Sequence, residues 1–202
     1  ALRRLGTRRT LTVEAIGPVL ASLGSVVLMG EVLAPQAWIG AAMVTSAVVL
    51  VAGPSDAMGR DGAGLVLALL AVVSGLGGAF LAREVLISSA LTPLQTASVR
   101  LCGGWVGLLP WLRLNSESIQ NWISPLGVRM IVATVLGTNL GIVLQQFVFQ
   151  QMAVGPGVTL MGTAPVMALM IGRFEGDPIQ PRGIAAALLA VAGVALTTST
   201  AL

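Results

Sequence analysis

The sequence predicts an all-α membrane protein, a polytopic bundle of helices that cross a lipid bilayer. Hydrophobic residues make up 55% of the chain and charged residues only 9%, whereas a soluble domain carries about 25% charged residues. Apolar runs of about 17 to 20 residues recur along the chain, and a helix needs about this length to cross the hydrocarbon core. Because backbone groups inside lipid must be bonded internally, we expect each run to be a helix.

Seven predicted spans follow one another along the chain. A linker over residues 53–62 separates the first two spans from the other five, and its Pro, Gly and charged residues predict an exposed connection. A second break, Gly155-Pro156-Gly157, precedes the sixth span. The spans are expected at about residues 13–29, 37–52, 63–82, 93–112, 128–149, 158–174 and 183–200.

The composition argues against several classes of function. The chain has no His, no Tyr and a single Cys, so it lacks the commonest acid–base catalyst and metal ligand and cannot form an internal disulfide. No cluster of nucleophile and base is visible, and no phosphate-binding loop is present. We therefore expect no enzymatic activity, no metal and no cofactor. The net charge of +3 does not indicate nucleic-acid binding.

Two stretches near the ends of the chain are related. Residues 16–50 and residues 163–196 each contain two apolar runs joined by a short polar corner. Each has a Pro early in the first run, a Glu at its end and a Gly that opens the second run, although the second copy is three residues shorter between Pro and Glu. The matched pairs are Pro18 with Pro165, Glu31 with Glu175, and Gly40 with Gly183.

The two corners predict an inverted repeat. Five predicted spans separate them, and because five is odd, the corners must face opposite sides of the membrane. Inverted repeats of this kind are common in secondary transporters. We expect residues 63–202 to form a complete second repeat of five helices and residues 1–52 to be the last two helices of the first. About three further spans would then precede Ala1.

The first corner and the last span carry a recognisable pattern. It consists of Gly30, Glu31, Gln36 and Gly40 at the corner and of Ala192-Gly193-Val194 in the span. With these residues the chain resembles the EamA-type permeases of the drug/metabolite transporter superfamily. It departs from their pattern at residues 173–177, Arg-Phe-Glu-Gly-Asp, where a Gly-Glu pair is expected. The resemblance implies a ten-helix permease of two inverted repeats that moves small metabolites or drugs, often outward.

We expect a secondary transporter that works by alternating access in the cell (inner) membrane. Its expected partners are the lipid bilayer and a small-molecule substrate, and a homodimer is left open. The alternative is a non-transporting scaffold or assembly subunit. Orientation also stays open: most Arg residues lie on one side of the predicted bundle, which would be cytoplasmic by the positive-inside rule, whereas the resemblance implies the reverse.

The fifth span is the most polar and is the predicted substrate path. Asn139 and Gln146 lie seven residues apart on one helical face, and Thr134, Thr138 and Gln145 form a neighbouring stripe. Polar residues inside a membrane are costly unless they face protein or water. The pattern therefore predicts a helix that lines a cavity, the alternative being hydrogen bonds that hold helices together, at about 0.6 kcal/mol each.

Two charged residues join the candidates. Arg100 is the only cation in the interior of a predicted span, about 10 Å along the helix from Pro93, whereas Arg129 and Arg173 lie at span ends. It either reaches the membrane surface or an ion-pair partner, or binds an anionic group of the substrate. Glu14 opens the first span, where a carboxylate suits the helix dipole. The alternative is that Glu14 couples transport to a proton or another cation.

The remaining singled-out residues are expected to be structural. Glu31, Glu175, Pro18 and Pro165 would shape the two corners. Arg83 and Glu84 would mark a membrane boundary. Small-residue patterns predict close helix approach, and the glycines concerned are Gly75, Gly77, Gly78, Gly103, Gly107, Gly137 and Gly141.

Overall fold

A computed structural model describes most of the chain as helices. The described residues are 10–52, 62–114, 125–164, 166–167 and 181–199. Within these ranges no strand is present, and five helices are long and apolar enough to cross a membrane. The predicted all-α membrane fold is therefore confirmed. The five stretches are Thr10–Met29, Pro35–Ala52, Gly62–Ser88, Gly127–Gln151 and Pro181–Thr198.

We number the helices in chain order. A single turn over residues 10–14 precedes the first, and a π-helical segment, Thr134–Asn139, joins the fifth to the sixth without a break. The helices are α1 Gly17–Met29, α2 Pro35–Ala52, α3 Gly62–Ser88, α4 Pro93–Leu114, α5 Pro125–Ala133, α6 Leu140–Gln151, α7 Val154–Met161 and α8 Pro181–Thr198.

Proline and glycine set several helix ends. Helices α2, α4, α5 and α8 each begin with Pro, whose fixed φ suits the first turn and whose missing N–H has no intrahelical partner there. Helix α1 ends at Gly30, which has φ +64°, and the N–H of Glu31 donates to the carbonyl of Ser25 at 3.0 Å. A left-handed residue, usually glycine, commonly closes a helix. The Gly-Glu pair at the first corner is therefore a helix terminator followed by the corner carboxylate.

Two predicted boundaries differ from the structure. Helix α7 begins at Val154, so Gly155-Pro156-Gly157 lies inside its first turns rather than before the span. The break falls at Ala153, which is extended with φ −54° and ψ 154°, and a Pro in the first helical turn costs no backbone bond. Helix α3 continues to Ser88, so Arg83 and Glu84 are helical residues and do not end the helix.

The fourth and sixth predicted spans are not among the five apolar stretches. The fourth is a helix, α4, but Gln95, Ser98 and Arg100 lie in its first turns and lower its hydropathy. The sixth is described only in part, because residues 165 and 168–180 lie outside the described ranges.

The chain forms two compact units. The first comprises residues 1–81 and 152–202, and the second comprises residues 82–151. In the first unit α2 packs along α8, while α7 packs against α1 and α2. Its apolar core includes a cluster of Ala47, Val166, Ala186 and Ala190. In the second unit α4 packs against α6.

Small residues hold the helix crossings of the first unit. A Cβ placed on Gly40 of α2 would collide with Thr197 and with the carbonyl of Gly193 on α8. A Cβ on Gly193 would in turn lie 2.9 Å from the carbonyl oxygen of Gly40. Gly40 and Gly193 both belong to the pattern on which the family resemblance rests, and they meet at this crossing. Only glycine allows the two backbones to approach so closely.

Most of the glycines that the sequence predicted to allow close helix approach do not lie at a helix crossing. A Cβ on any of Gly75, Gly77, Gly103, Gly107, Gly137 or Gly141 would meet nothing within 4 Å. Their spacing creates a small-residue patch on a helix but does not determine which helix packs there. The prediction of close contacts at these six positions is therefore wrong for the described part of the chain.

Candidate functional site

Arg100 and Gln145 meet in the second unit. The guanidinium Nη1 of Arg100, on α4, donates a hydrogen bond of 3.1 Å to Oε1 of Gln145, on α6. Arg100 lies about 10 Å along its helix from the N-terminal end, and it is partly buried. Two residues that the sequence singled out on separate spans are therefore in direct contact.

Gln146 follows on the same helix and is 0% exposed. Within the described ranges neither its Nε2 nor its Oε1 has a hydrogen-bond partner, although both atoms are buried. Phe149, one turn further along α6, is also 0% exposed, so these two residues mark the covered side of the helix. Burying an unpaired amide costs about 1–3 kcal/mol. The position is therefore held by a residue that weakens the fold relative to an apolar side chain of similar size.

The π segment contains the other three polar candidates of this span. Thr134 and Thr138 are exposed and Asn139 is half-buried, and the hydroxyl of Thr134 donates to the carbonyl of Met130 at 2.9 Å. Bonds in a π segment run from residue i to i+5, so the residues before it are rotated relative to α6. The predicted stripe from Thr134 to Gln145 assumed an uninterrupted α-helix, and the structure does not keep it. π segments inside α-helices are frequent at functional sites.

Arg83 makes a contact that the sequence did not reveal. Its Nη1 donates to the carbonyl oxygens of Phe149 at 2.7 Å and Gln150 at 3.0 Å. The last carbonyls of a helix have no intrahelical partner and carry partial negative charge, so Arg83 stabilises the end of α6. The partners lie 66 and 67 residues away in sequence, and no local signal marks such a pairing.

The other candidates lie in the first unit or outside the described residues. Glu14 is exposed on the turn that precedes α1. Pro18 is buried in the first turn of α1, and its carbonyl accepts a hydrogen bond of 2.9 Å from the hydroxyl of Ser22. Glu31 is half-buried at the corner, with Oε2 buried. Pro165 and Glu175 fall outside the described ranges.

The described residues of α4 and α6 offer hydrogen bonding and a partly buried guanidinium. They contain no group of three or more His, Cys, Asp or Glu side chains that could hold a metal ion. The arrangement on α4 and α6 combines a guanidinium, a bonded amide and an unpaired amide. Such a set can bind a polar or anionic solute, and it contains no group that could act as a nucleophile.

Comparison with known proteins identifies the family. A sequence profile of the EamA-like transporter family matches residues 62–199, which is more than half of the chain and includes helices α3 to α8. No curated protein and no solved structure shows a significant match. The resemblance seen in the sequence is confirmed, and with its apolar helices the chain is an integral, multi-pass membrane protein. The chain belongs to the EamA-like transporter family.

Proposed function

We propose that the chain is a secondary transporter that moves small metabolites or drugs across the cell (inner) membrane. In this proposal residues 1–52 and 63–202 belong to two inverted repeats, which alternate access to a substrate site. Membership of a transporter family supports the general function. The observation that carries the proposal is the buried, unpaired amide of Gln146 on the most polar span.

The reasoning rests on what an unpaired buried amide costs. Nearly all buried polar side chains in proteins have a hydrogen-bond partner, and a leucine at position 146 would remove a penalty of about 1–3 kcal/mol. A chain that only serves as a scaffold gains nothing from this loss of stability. A transporter can gain from it, because a substrate that enters the site supplies the missing hydrogen bonds and is thereby distinguished from apolar lipid. Polar groups within membranes commonly line such pathways.

The proposed path includes the residues that the sequence singled out. Arg100 and Gln146 are the proposed binding groups, and Gln145 lies in the path as the residue that holds the guanidinium of Arg100. Thr134, Thr138 and Asn139 belong to the proposed path further along, in and next to the π segment. Glu14 is exposed and is the proposed group for coupling to a proton or another cation.

Transport by membrane vesicles tests this proposal. Vesicles that contain the protein are given a mixed panel of metabolites, with and without a proton gradient, and accumulation of each compound is followed. The variant Gln146→Leu is compared with Gln151→Leu, which makes the same change at an exposed position on the same helix. We expect transport by Gln146→Leu to be at least tenfold slower, because about one or two hydrogen bonds to the substrate are lost. Transport by Gln151→Leu should be normal.

The other outcomes decide between the alternatives. Movement that does not depend on the gradient would indicate a facilitator or exchanger and would remove Glu14 from the mechanism. If folded protein moves no compound, or if Gln146→Leu transports as well as wild type, the proposal fails and the scaffold alternative is favoured.

A further inference from the structure

The charge on Arg100 is balanced by no carboxylate among the described residues. Its one side-chain hydrogen bond there goes to the neutral amide oxygen of Gln145. In the described part of the second unit, Glu84 is the only acidic residue, and it is exposed. A partly buried cation is normally paired with an anion or coordinated by several groups. Arg100 therefore has the properties of a binding group for an anion.

The geometry of Arg100 suits a carboxylate. A guanidinium presents five N–H donors in a planar fork that matches the two oxygens of a carboxylate. Gln145 Oε1 accepts from Nη1, which is the bond that one carboxylate oxygen would replace. Hydrogen bonds between ionised partners are about twice as strong as neutral ones, so a carboxylate would displace the amide and release Gln145.

Gln146 supplies a second, independent observation. It is the next residue on α6, so its Cα lies about 3.8 Å from that of Gln145. Its amide is buried, and neither its donor nor its acceptor has a partner in the part of the chain that the structure describes. Successive side chains on an α-helix point about 100° apart, so a solute held by Arg100 at its carboxylate would reach this amide by extending part of the way around α6.

We propose that Arg100 binds the carboxylate of an anionic substrate by exchange with Gln145, and that Gln146 binds a second polar group of the same solute. The proposal rests on the transport function proposed above and names its substrate class, a small carboxylic acid. Gln145 keeps the guanidinium in place when the site is empty. The exchange is a simple replacement of one acceptor by another and needs no chemical step.

Binding of matched acids and amides tests the proposal. The full chain is placed in phosphatidylcholine nanodiscs, and its affinity for three pairs is measured: succinate and succinamide, benzoate and benzamide, and hexanoate and hexanamide. We expect at least one acid to bind and its amide to bind at least tenfold more weakly. Arg100→Gln should weaken binding of that acid at least tenfold, because a charge-assisted bond is lost.

A second variant makes the test independent of folding. Gln145→Ala removes the competing acceptor and leaves Arg100 intact, so the acid should bind as tightly as to wild type or up to about fivefold more tightly. If the Arg100–Gln145 bond were only structural, both variants would lower the melting temperature and neither would change the preference for acid over amide. Equal affinity for every acid and its amide, or unchanged acid binding by Arg100→Gln, overturns the proposal.

Lipid headgroups carry the same kind of charge and are tested separately. Nanodiscs with phosphatidylglycerol replace those of phosphatidylcholine alone. If the anionic lipid abolishes acid binding and stabilises wild type but not Arg100→Gln, the site belongs to a headgroup and the proposal is overturned. Acid binding without transport of any compound would support this site and refute the transport function. If the protein transports only neutral or cationic compounds, and Arg100→Gln does not affect that transport, the transport function is supported and the carboxylate site is refuted.

Discussion

The helix crossings of the first unit and the polar span of the second unit differ in how their polar groups are bonded. In the first unit Ser22 donates to the carbonyl of Pro18, Ser25 accepts from the N–H of Gly155, and Thr197 donates to the carbonyl of Gly193. The buried Oγ1 of Thr45 in that unit has no partner among the described residues. In the second unit a buried glutamine has no partner and a partly buried arginine is bonded only to a neutral amide among the described residues.

This difference indicates that residues for helix packing and residues for transport lie in different parts of the chain. Small residues and satisfied hydroxyls allow close helix packing, so the first unit is built for stability. Unsatisfied polar groups weaken a fold and persist where a function needs them. Replacing Arg100 or Gln146 in the second unit should therefore change transport more than stability, and replacing the small residues at the helix crossings of the first unit should do the reverse.

The largest expected effect on stability is at the crossing of α2 and α8. Gly40→Leu places a side chain against Thr197 and the backbone of Gly193, and we expect a loss of about 3 kcal/mol or more from overpacking. The free energy of unfolding in mixed micelles measures it. Gly103→Leu is the matched control, since a Cβ there meets nothing within 4 Å. Equal losses in both variants would show that the crossing is not special.

A smaller loss is expected at the end of α6. Arg83→Met removes the donor to the carbonyls of Phe149 and Gln150, and we expect a loss of about 1.5–3 kcal/mol, the usual value for a hydrogen bond to a charged group. Amide hydrogen exchange should increase in the last turn of α6. Arg129→Met, at an exposed position of α5, controls for the loss of charge. Unchanged exchange in α6 would refute the capping role.

The smallest expected effect is at the contact of α1 with α7. Ser25→Ala removes the hydroxyl that accepts from the N–H of Gly155 at 2.9 Å, and one neutral hydrogen bond contributes about 1 kcal/mol. Ser46→Ala is the control, because that hydroxyl is exposed and bonds only within its own helix, to the carbonyl of Ala42. The melting temperature should fall for Ser25→Ala alone. A greater fall for Ser46→Ala would contradict the account.

Local sequence features predicted the fold class and most helix positions. Long apolar runs, the prolines that open helices and Gly30 after α1 act over a few residues, so they can be interpreted without knowing the packing. The contacts between helices could not be predicted in this way. Gly40 and Gly193, or Arg83 and Phe149, are far apart in sequence, and spacing alone directed attention to glycines that have no close neighbour.

The candidate site was predictable in its residues but less so in its geometry. Arg100, Gln145 and Gln146 stood out because charged and amide side chains are costly in a membrane. Their roles depended on tertiary contacts: one amide is bonded to the guanidinium and the next is buried without a partner. The π segment changed which residues share a face, because it departs from the regular spacing of the α-helix that the prediction assumed.

The central claim is that Gln146 serves transport at the expense of stability. The most direct test measures both quantities on one preparation of Gln146→Leu in vesicles. The account predicts a variant that is more stable than wild type by about 1–3 kcal/mol and transports at least tenfold more slowly. A variant that is less stable than wild type, or that transports normally, would contradict the claim, because the amide would then have a structural role or none in the path.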